Sequence, residues 1–525
     1  MQQPHSIIKN KKSGNEKNTQ NGDIMKTDFS KGIVYIKEGG YQGCKLEKGI
    51  TAFYGIPYAL PPIGEYRFSA PRRVKEHIGL LQAVKPGPVN YQWVSENAED
   101  WQKPNGPMSE DCLYLNIFTP AKTGEENLPV LFWIHGGASI AGWGSDPVLD
   151  GTKLAEQGIV VVTFNYRLGA LGFLCHPELS KADSRGISGN YGVMDMLMAL
   201  EWVQNHIDAF GGNASRIVMG GQSAGAGATA YLMTSPLCRN KIKGAVLLST
   251  TPYTYPDIPY PEEYYEKLGK EYMDSLGLHT LKELKETPVS RWVYRKSYMN
   301  VGWFSFARDN YIFNAGLKES FQNGCYEKVP MILGMTRDEF TGGLKPDDKM
   351  SQEEYCRKVE QKFGPYAQRI LEAYPARDER ETVMQYKLLV GGEYTMAESI
   401  HTAKDLKKYQ SNIYLYRFDR KVPRENCDFY GAIHGDDLPY LFGTQDVVPY
   451  NWKEVDKEIS KGMIQYLAQF VKTGNPNVMG LPEWPAYMEK EKVMLFGAQE
   501  CEECIKADEI PNKERIELLE SIRNF

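Results

Sequence analysis

The chain has 525 residues, a formal charge of only −6 at pH 7 and 42% hydrophobic residues, the make-up of a soluble globular protein able to bury a large core. Lys and Arg are scattered without a basic block or stripe, which leaves no nucleic-acid footprint. The longest apolar runs, such as 131–134 and 159–164, fall far short of the about 20 residues that cross a bilayer.

Residues 1–25 are polar and lysine-bearing and read as a disordered tail, with Met25 as an alternative start and residues 26–525 as a single domain. Nine cysteines, an odd number without paired spacing, and no apolar leader in the tail point to a reducing, cytoplasmic setting. Cys501 and Cys504 form a lone C-x-x-C with no second pair or nearby His, so no metal site is expected.

In chain order, residues 32–37 and 49–54 read as the strands of an N-terminal hairpin. They lead into a loop, 55–62, whose three prolines forbid helix. Apolar runs of strand length follow at 113–118, 129–134 and 158–165, the second ending abruptly at His135-Gly136-Gly137-Ala138. Between the last two, residues 147–157 are long enough for a crossover helix. From 191 to 210, Val193, Met196, Leu197, Leu200, Val203 and Ile207 recur at three- and four-residue steps and predict one buried stripe.

The next run meets a Gly-Gln-Ser-Ala-Gly turn at 221–225, and further strands are expected at 243–249, 329–334 and 412–418. Alternation of strand and helix means a large, mostly parallel central sheet with helices on both faces, an α/β fold. Residues 250–327, rich in Tyr, Trp and Pro, read as an excursion over that sheet. At the C-terminus, Ile516, Leu519 and Ile522 share one face, suited to docking on this domain or on a neighbour, so the oligomeric state is not fixed.

The turn at 221–225 carries the chemistry. Strand, sharp glycine-flanked turn and small-residue helix lift a serine hydroxyl above the edge of a sheet, which makes Ser223 the candidate nucleophile. A serine needs a base, an acid to orient it and donors for an oxyanion. In this turn class the order is Ser, acid, His, so the base lies downstream of Ser223. His279 and His401 sit in polar, helical-looking stretches, whereas His434 stands in a loop of small residues after a strand. His434 is the candidate base. Asp338 and Glu339 both follow the strand at 329–334, and the residue pattern does not rank them. The oxyanion donors expected are the Ala224 amide and the glycine turn 135–138, with His135 packing that turn.

Together these motifs resemble the type-B carboxylesterase family, which includes cholinesterases and bacterial esterases. The likeness runs through FYGIPYALPPIGEYRF (53–68), SEDCLYLNI (109–117), WIHGGA (133–138), FNYRLGALGFL (164–174), GGQSAGA (220–226), ILGMTRDEF (332–340) and GAIHGDDLPYLFG (431–443). The resemblance implies an α/β-hydrolase fold, a Ser223, Glu339, His434 triad, and an oxyanion hole from Gly137, Ala138 and Ala224. It also implies a structural Arg67–Glu110 ion pair and a serine, Ser249, buried behind the triad.

Several residues depart from the family pattern. Gln222 replaces the usual glutamate before the nucleophile, which argues against a cationic choline ester. Phe340 stands where glycine is usual, Ala138 replaces a third glycine, and Asn213-Ala214 replace an Asp-Pro that would partner Arg167. Cys112 matches a cysteine paired in secreted relatives, but residues 89–92 offer it no partner cysteine.

The expectation is a serine esterase that needs no cofactor or metal and acts on a neutral, small-molecule ester of small to moderate size. Gln222, Trp143, Trp303 and Phe304 are pocket candidates, along with Ser139, Ile140, Tyr253 and Tyr255. A binding module on the same fold lacks the nucleophile, so the Ser, Glu and His together count against it. Thioesterase, lipase and amidase chemistry would use the same triad.

Overall fold

The structure is a computed structural model that describes residues 19–20, 23–24, 27–94, 98–254, 261–293, 306–498 and 504–522. The expectations for residues 1–18 and Met25, for Tyr255, Trp303 and Phe304, and for Cys501 concern residues outside these.

Three strands, β1 (Ile33–Ile36), β2 (Gly39–Gln42) and β5 (Leu80–Gln82), form a small sheet. The large sheet has eleven strands in the order β14-β13-β12-β11-β10-β9-β7-β8-β6-β4-β3. They are β3 (Cys44–Lys45), β4 (Thr51–Pro57), β6 (Tyr114–Thr119), β7 (Leu128–Ile134), β8 (Val160–Phe164), β9 (Gly212–Gln222) and β10 (Gly244–Leu248). The remainder are β11 (Met331–Thr336), β12 (Ile413–Phe418), β13 (Val493–Phe496) and β14 (Ile505–Asp508). From β8 through β13 every neighbouring pair is parallel, while β3, β4, β6 and β14 run antiparallel at the two margins.

The expected N-terminal hairpin does not form as such. β1 pairs with β2, and β4 joins the large sheet instead. The crossover between β7 and β8 is also slighter than expected: a 3₁₀ turn, Pro147–Leu149, and the four-residue helix Thr152–Ala155.

The central strands are mostly apolar where both faces are covered, as along residues 217–219 of β9. Along β7, Val130, Phe132 and Ile134 enter one core layer and Leu131 and Trp133 the other. The first layer receives Val193, Met196, Leu200 and Val203 of helix α1 (Tyr191–His206). The second receives Ile459, Met463, Leu467 and Phe470 of a long helix, Glu454–Thr473. Each such side chain contributes about 1.5–3 kcal/mol when fully buried. The C-terminal helix, Lys513–Ser521, docks on its own chain: Ile516 and Leu519 are buried, Asn512 bonds Glu393 at 2.6 Å and Lys404 meets Glu520 at 2.7 Å.

Two ion pairs pin loops near the ends of the parallel strands. Arg67 grips both oxygens of Glu110, at 2.6 and 2.5 Å, and also donates to the Lys285 and Thr287 carbonyls. Arg167 does not lack a carboxylate. Its Nε and Nη2 hold both oxygens of the buried Asp195 on α1, at 2.8 and 2.7 Å, so the change to Asn213-Ala214 leaves it paired.

Candidate active site

Ser223 separates the last residue of β9 from helix α2 (Ala224–Thr234) and stands at φ 57°, ψ −124°. That conformation costs a non-glycine residue about 1–2 kcal/mol, and the surroundings impose it. The Ser223 amide donates to the Leu248 carbonyl at 2.8 Å, tying the turn to β10. Close approach explains the flanking glycines: a Cβ on Gly225 would lie 2.1 Å from the Ile134 carbonyl oxygen, and one on Gly221 2.4 Å from the Gly225 carbonyl carbon.

β11 ends at Thr336, and the next turn carries Asp338 and Glu339. The geometry ranks them. Glu339 is fully buried, accepts from the Thr336 amide at 2.9 Å and meets His434 Nδ1 at 2.5 Å. Asp338 is bound elsewhere, by Lys387 Nζ at 2.8 Å, by the Arg337 guanidinium at 2.8 Å and by the Ala432 amide at 2.9 Å. Its own amide donates to the Ala432 carbonyl at 2.8 Å, so Asp338 stitches the acid turn to the loop that carries His434.

Glu339 and His434 shift each other's protonation. Burial alone would raise the Glu339 carboxyl, but the charge of His434 and the hydrogen bonds from His434 and the Thr336 amide outweigh it and hold it below its ordinary value. The Ser249 hydroxyl is buried beside this carboxylate and also favours its ionised form, although it falls short of a formed hydrogen bond. Burial alone would lower His434, and the Glu339 charge outweighs that and raises it. With the Nδ1 proton directed at Glu339, His434 Nε2 is left as an acceptor, and the side-chain amide nitrogen of Gln222 lies 3.2 Å from it. Among the described residues, the Ser223 hydroxyl makes no hydrogen bond. Such contacts often tighten only when substrate is bound.

The glycine turn after β7 closes over the serine. A Cβ on Gly136 would lie 2.8 Å from both the carbonyl and the side-chain oxygen of Gln222 and 3.3 Å from Ser223 Cβ. Gly137, Ala138 and Ser139 all have positive φ, at 103°, 54° and 59°, and the Ile140 and Ala141 amides close the turn on the Gly137 carbonyl. The amides of Gly137, Ala138 and Ala224 donate to no other described residue. His135 is buried, stacks on Tyr166 at 4.4 Å and bonds the Gly136 carbonyl through Nδ1; burial pushes its pKa down to about 4, so the ring is neutral.

The pocket candidates fare unevenly. Gln222 is buried between the glycine turn at 135–138 and His434. Trp143 and Ser139 are buried behind the turn, and Tyr253 is committed to a hydrogen bond with Asp405 and a ring contact with His401.

Three further features border this site. Gly391 and Gly392 lie in a single π-turn, Leu389–Glu393, between helices Glu379–Leu388 and Tyr394–Leu406. A Cβ on Gly392 would lie 1.7 Å from the Arg337 carbonyl oxygen and one on Gly391 2.6 Å from that of Glu339, so this turn presses directly on the acid turn. Lys387, one turn earlier, supplies the buried cation for Asp338. Asp437, buried beyond His434, accepts from Tyr416 Oη at 2.6 Å with its other oxygen unpartnered, and burial pushes its pKa up to about 6. The GDD run at 435–437 was the available signal for it.

The sequence profile described as the carboxylesterase family matches residues 30–519. The chain belongs to the carboxylesterase family. It is a carboxylic ester hydrolase with the α/β-hydrolase fold. It is similar to a fumonisin B1 esterase of Sphingopyxis macrogoltabida, 32% identical over 492 residues that cover 90% of this chain and 88% of that one. It is equally similar, at 32% over 490 residues, to a para-nitrobenzyl esterase of Bacillus subtilis, covering 88% and 94% of the two chains. A solved PNB esterase structure superposes with a TM-score of 0.77 at 29% identity, covering 93% of this carboxylesterase and 99% of that chain. A carboxylesterase structure from Geobacillus stearothermophilus gives 0.75 at 28% identity, covering 93% and 100%.

Proposed function

We propose that this esterase works by acyl transfer through Ser223, His434 and Glu339 and hydrolyses neutral esters of small to moderate size. The observation that carries the reading is the buried Glu339 carboxylate on His434 Nδ1, which leaves Nε2 as a proton acceptor, together with the strained turn at Ser223.

In the first half-reaction Ser223 Oγ attacks the ester carbonyl carbon while its proton passes to His434 Nε2, and Glu339 stabilises the imidazolium. The carbonyl π electrons move onto oxygen, which the Gly137, Ala138 and Ala224 amides receive. Collapse breaks the carbon–oxygen bond to the alcohol, which leaves with the proton from His434. Water then adds to the acyl-serine with His434 again taking a proton, and the acid departs as the proton returns to Ser223. For Nε2 to take the serine proton, the Gln222 amide must swing aside. An uncharged Gln222 in this position supports a neutral substrate over a cationic one.

A reducing, cytoplasmic setting is part of the same reading; it is supported by the eight described cysteines all being free. Among the described residues no helix is long and apolar enough to cross a membrane.

The test is hydrolysis of p-nitrophenyl esters of graded acyl length near pH 8 by the wild type and Ser223→Ala. Activity that disappears in the variant supports the reading. Wild-type activity retained in Ser223→Ala sinks it, as does failure of Ser223 to react with a fluorophosphonate.

A further inference from the structure

Phe340 follows Glu339 directly, and its backbone stands at φ 55°. Side chains rarely adopt such a backbone, whereas glycine adopts it freely. The ring gains little from burial, since 61% of the residue is exposed. What it touches is His434: the two rings stack with centroids 4.4 Å apart and planes 29° from parallel. The backbone around it is held firmly. Thr341 Oγ1 donates to the Asp338 carbonyl at 2.6 Å, and a Cβ on Gly391 would lie 2.6 Å from the Glu339 oxygen and 2.8 Å from Thr341 Cγ2. A strained, exposed aromatic fixed against one imidazole is poorly explained by folding stability.

Its position has a chemical meaning if His434 is the base, and to that extent the inference rests on the reading above. When the alcohol leaves, its oxygen must lie within about 3 Å of His434 Nε2 to collect the proton. A ring stacked on that imidazole is then in van der Waals reach of the first carbons of the alcohol. One face of Phe340 covers the imidazole, and the exposure of the residue leaves the other surface open to a ligand.

We propose that Phe340 is a specificity-determining residue on the leaving-group side, whose ring gives a planar apolar wall for esters of benzylic and other aryl-bearing alcohols. Short alkyl alcohols reach less of the ring and gain less from it.

Benzyl acetate and butyl acetate share an acyl group and have alcohols of similar acidity, so their kcat/KM ratio reports contacts to the alcohol. Rates by pH-stat would be compared for the wild type, Phe340→Gly and Phe340→Trp, with thermal melting of each. Glycine suits φ 55°, so Phe340→Gly is expected to melt no lower than the wild type. Its benzyl-to-butyl ratio is expected to fall about three- to tenfold, mostly through KM, and Phe340→Trp to keep the wild-type ratio. A ratio unchanged in Phe340→Gly, or equal losses on both esters, overturns the role of Phe340 while leaving the esterase reading intact. A wild type inactive on both esters, and on the p-nitrophenyl series, overturns the two together.

Discussion

His434 Nε2 faces the side-chain amide of Gln222 at 3.2 Å, and the Gln222 side-chain oxygen lies 2.8 Å from where a Cβ on Gly136 would be. One uncharged side chain therefore spans the space between the proposed base and the proposed oxyanion turn. An amide can meet either state of the ring, donating to neutral Nε2 or, turned over, accepting from the imidazolium. A carboxylate can only accept. In Gln222→Glu the added negative charge favours the imidazolium, so the acid limb of kcat/KM moves to higher pH. Activity at pH 6 relative to pH 8.5 should drop several-fold, and a choline ester should gain relative to its neutral counterpart. A limb that stays in place would show that residue 222 does not sense the imidazole charge.

The same logic fixes the wild-type profile. His434 is raised above its ordinary 6.5, with burial opposing and the Glu339 charge prevailing. The neutral ring is the active form, so kcat/KM should rise with pH through a midpoint above 6.5. Glu339→Gln removes the favourable charge, so its residual activity should show a lower midpoint. Its kcat should fall about a thousandfold or more, because the imidazolium is no longer supported.

Asp338→Asn should behave in the opposite way. Asp338 and Lys387 are buried together, and burial already lowers the Lys387 pKa against the pull of Asp338. Removing the carboxylate leaves a buried ammonium facing carbonyls alone, a loss of about 3–5 kcal/mol. Chemical denaturation should register that loss, while whatever folded protein remains keeps the wild-type pH midpoint. If Asp338→Asn moved the midpoint as Glu339→Gln does, the division of labour between the two acids would be wrong.

Much of this arrangement was legible because its signals are local. The buried stretches of β7 to β12 are largely apolar runs, a pattern that two-sided burial demands, and the Ser223 turn is a short motif fixed by clashes at Gly221 and Gly225. The choice between Asp338 and Glu339 was not local: it depends on Lys387, about fifty residues away, and on a π-turn whose glycines carry no recognisable spacing. The N-terminal strands were readable as strands, but their partners were not, because glycines flank β1, precede and interrupt β4, and β2 is itself glycine-rich. Which side chain reaches His434 Nε2 is a matter of rotamers, invisible to any pattern.

Ala138 sits at φ 54° in the oxyanion turn, where glycine is unstrained. Ala138→Gly should relieve that strain while giving the unfolded chain more freedom, for a net gain of up to about 1 kcal/mol. The proposed donor is a backbone N–H, present in either residue, so kcat should stay within about twofold. A large loss of kcat with unchanged melting would mean that the Ala138 methyl itself positions the substrate.

Asp437 lies buried with one oxygen on Tyr416 and the other unpartnered. Burial, and then the nearby Glu339 charge, raise its pKa from 3.8 to about 6 against the hydrogen bond from Tyr416. A carboxyl raised on folding favours the folded state while protonated, and that advantage is lost as pH climbs from the unfolded value through the folded one. Asp437→Asn keeps an oxygen for Tyr416 and never ionises. Its melting temperature relative to the wild type should therefore rise between about pH 4 and pH 6 and level off above that. Melting curves at pH 4.5, 6 and 8 decide it: a difference that does not change with pH would mean that Asp437 ionises no differently in the folded and unfolded chain.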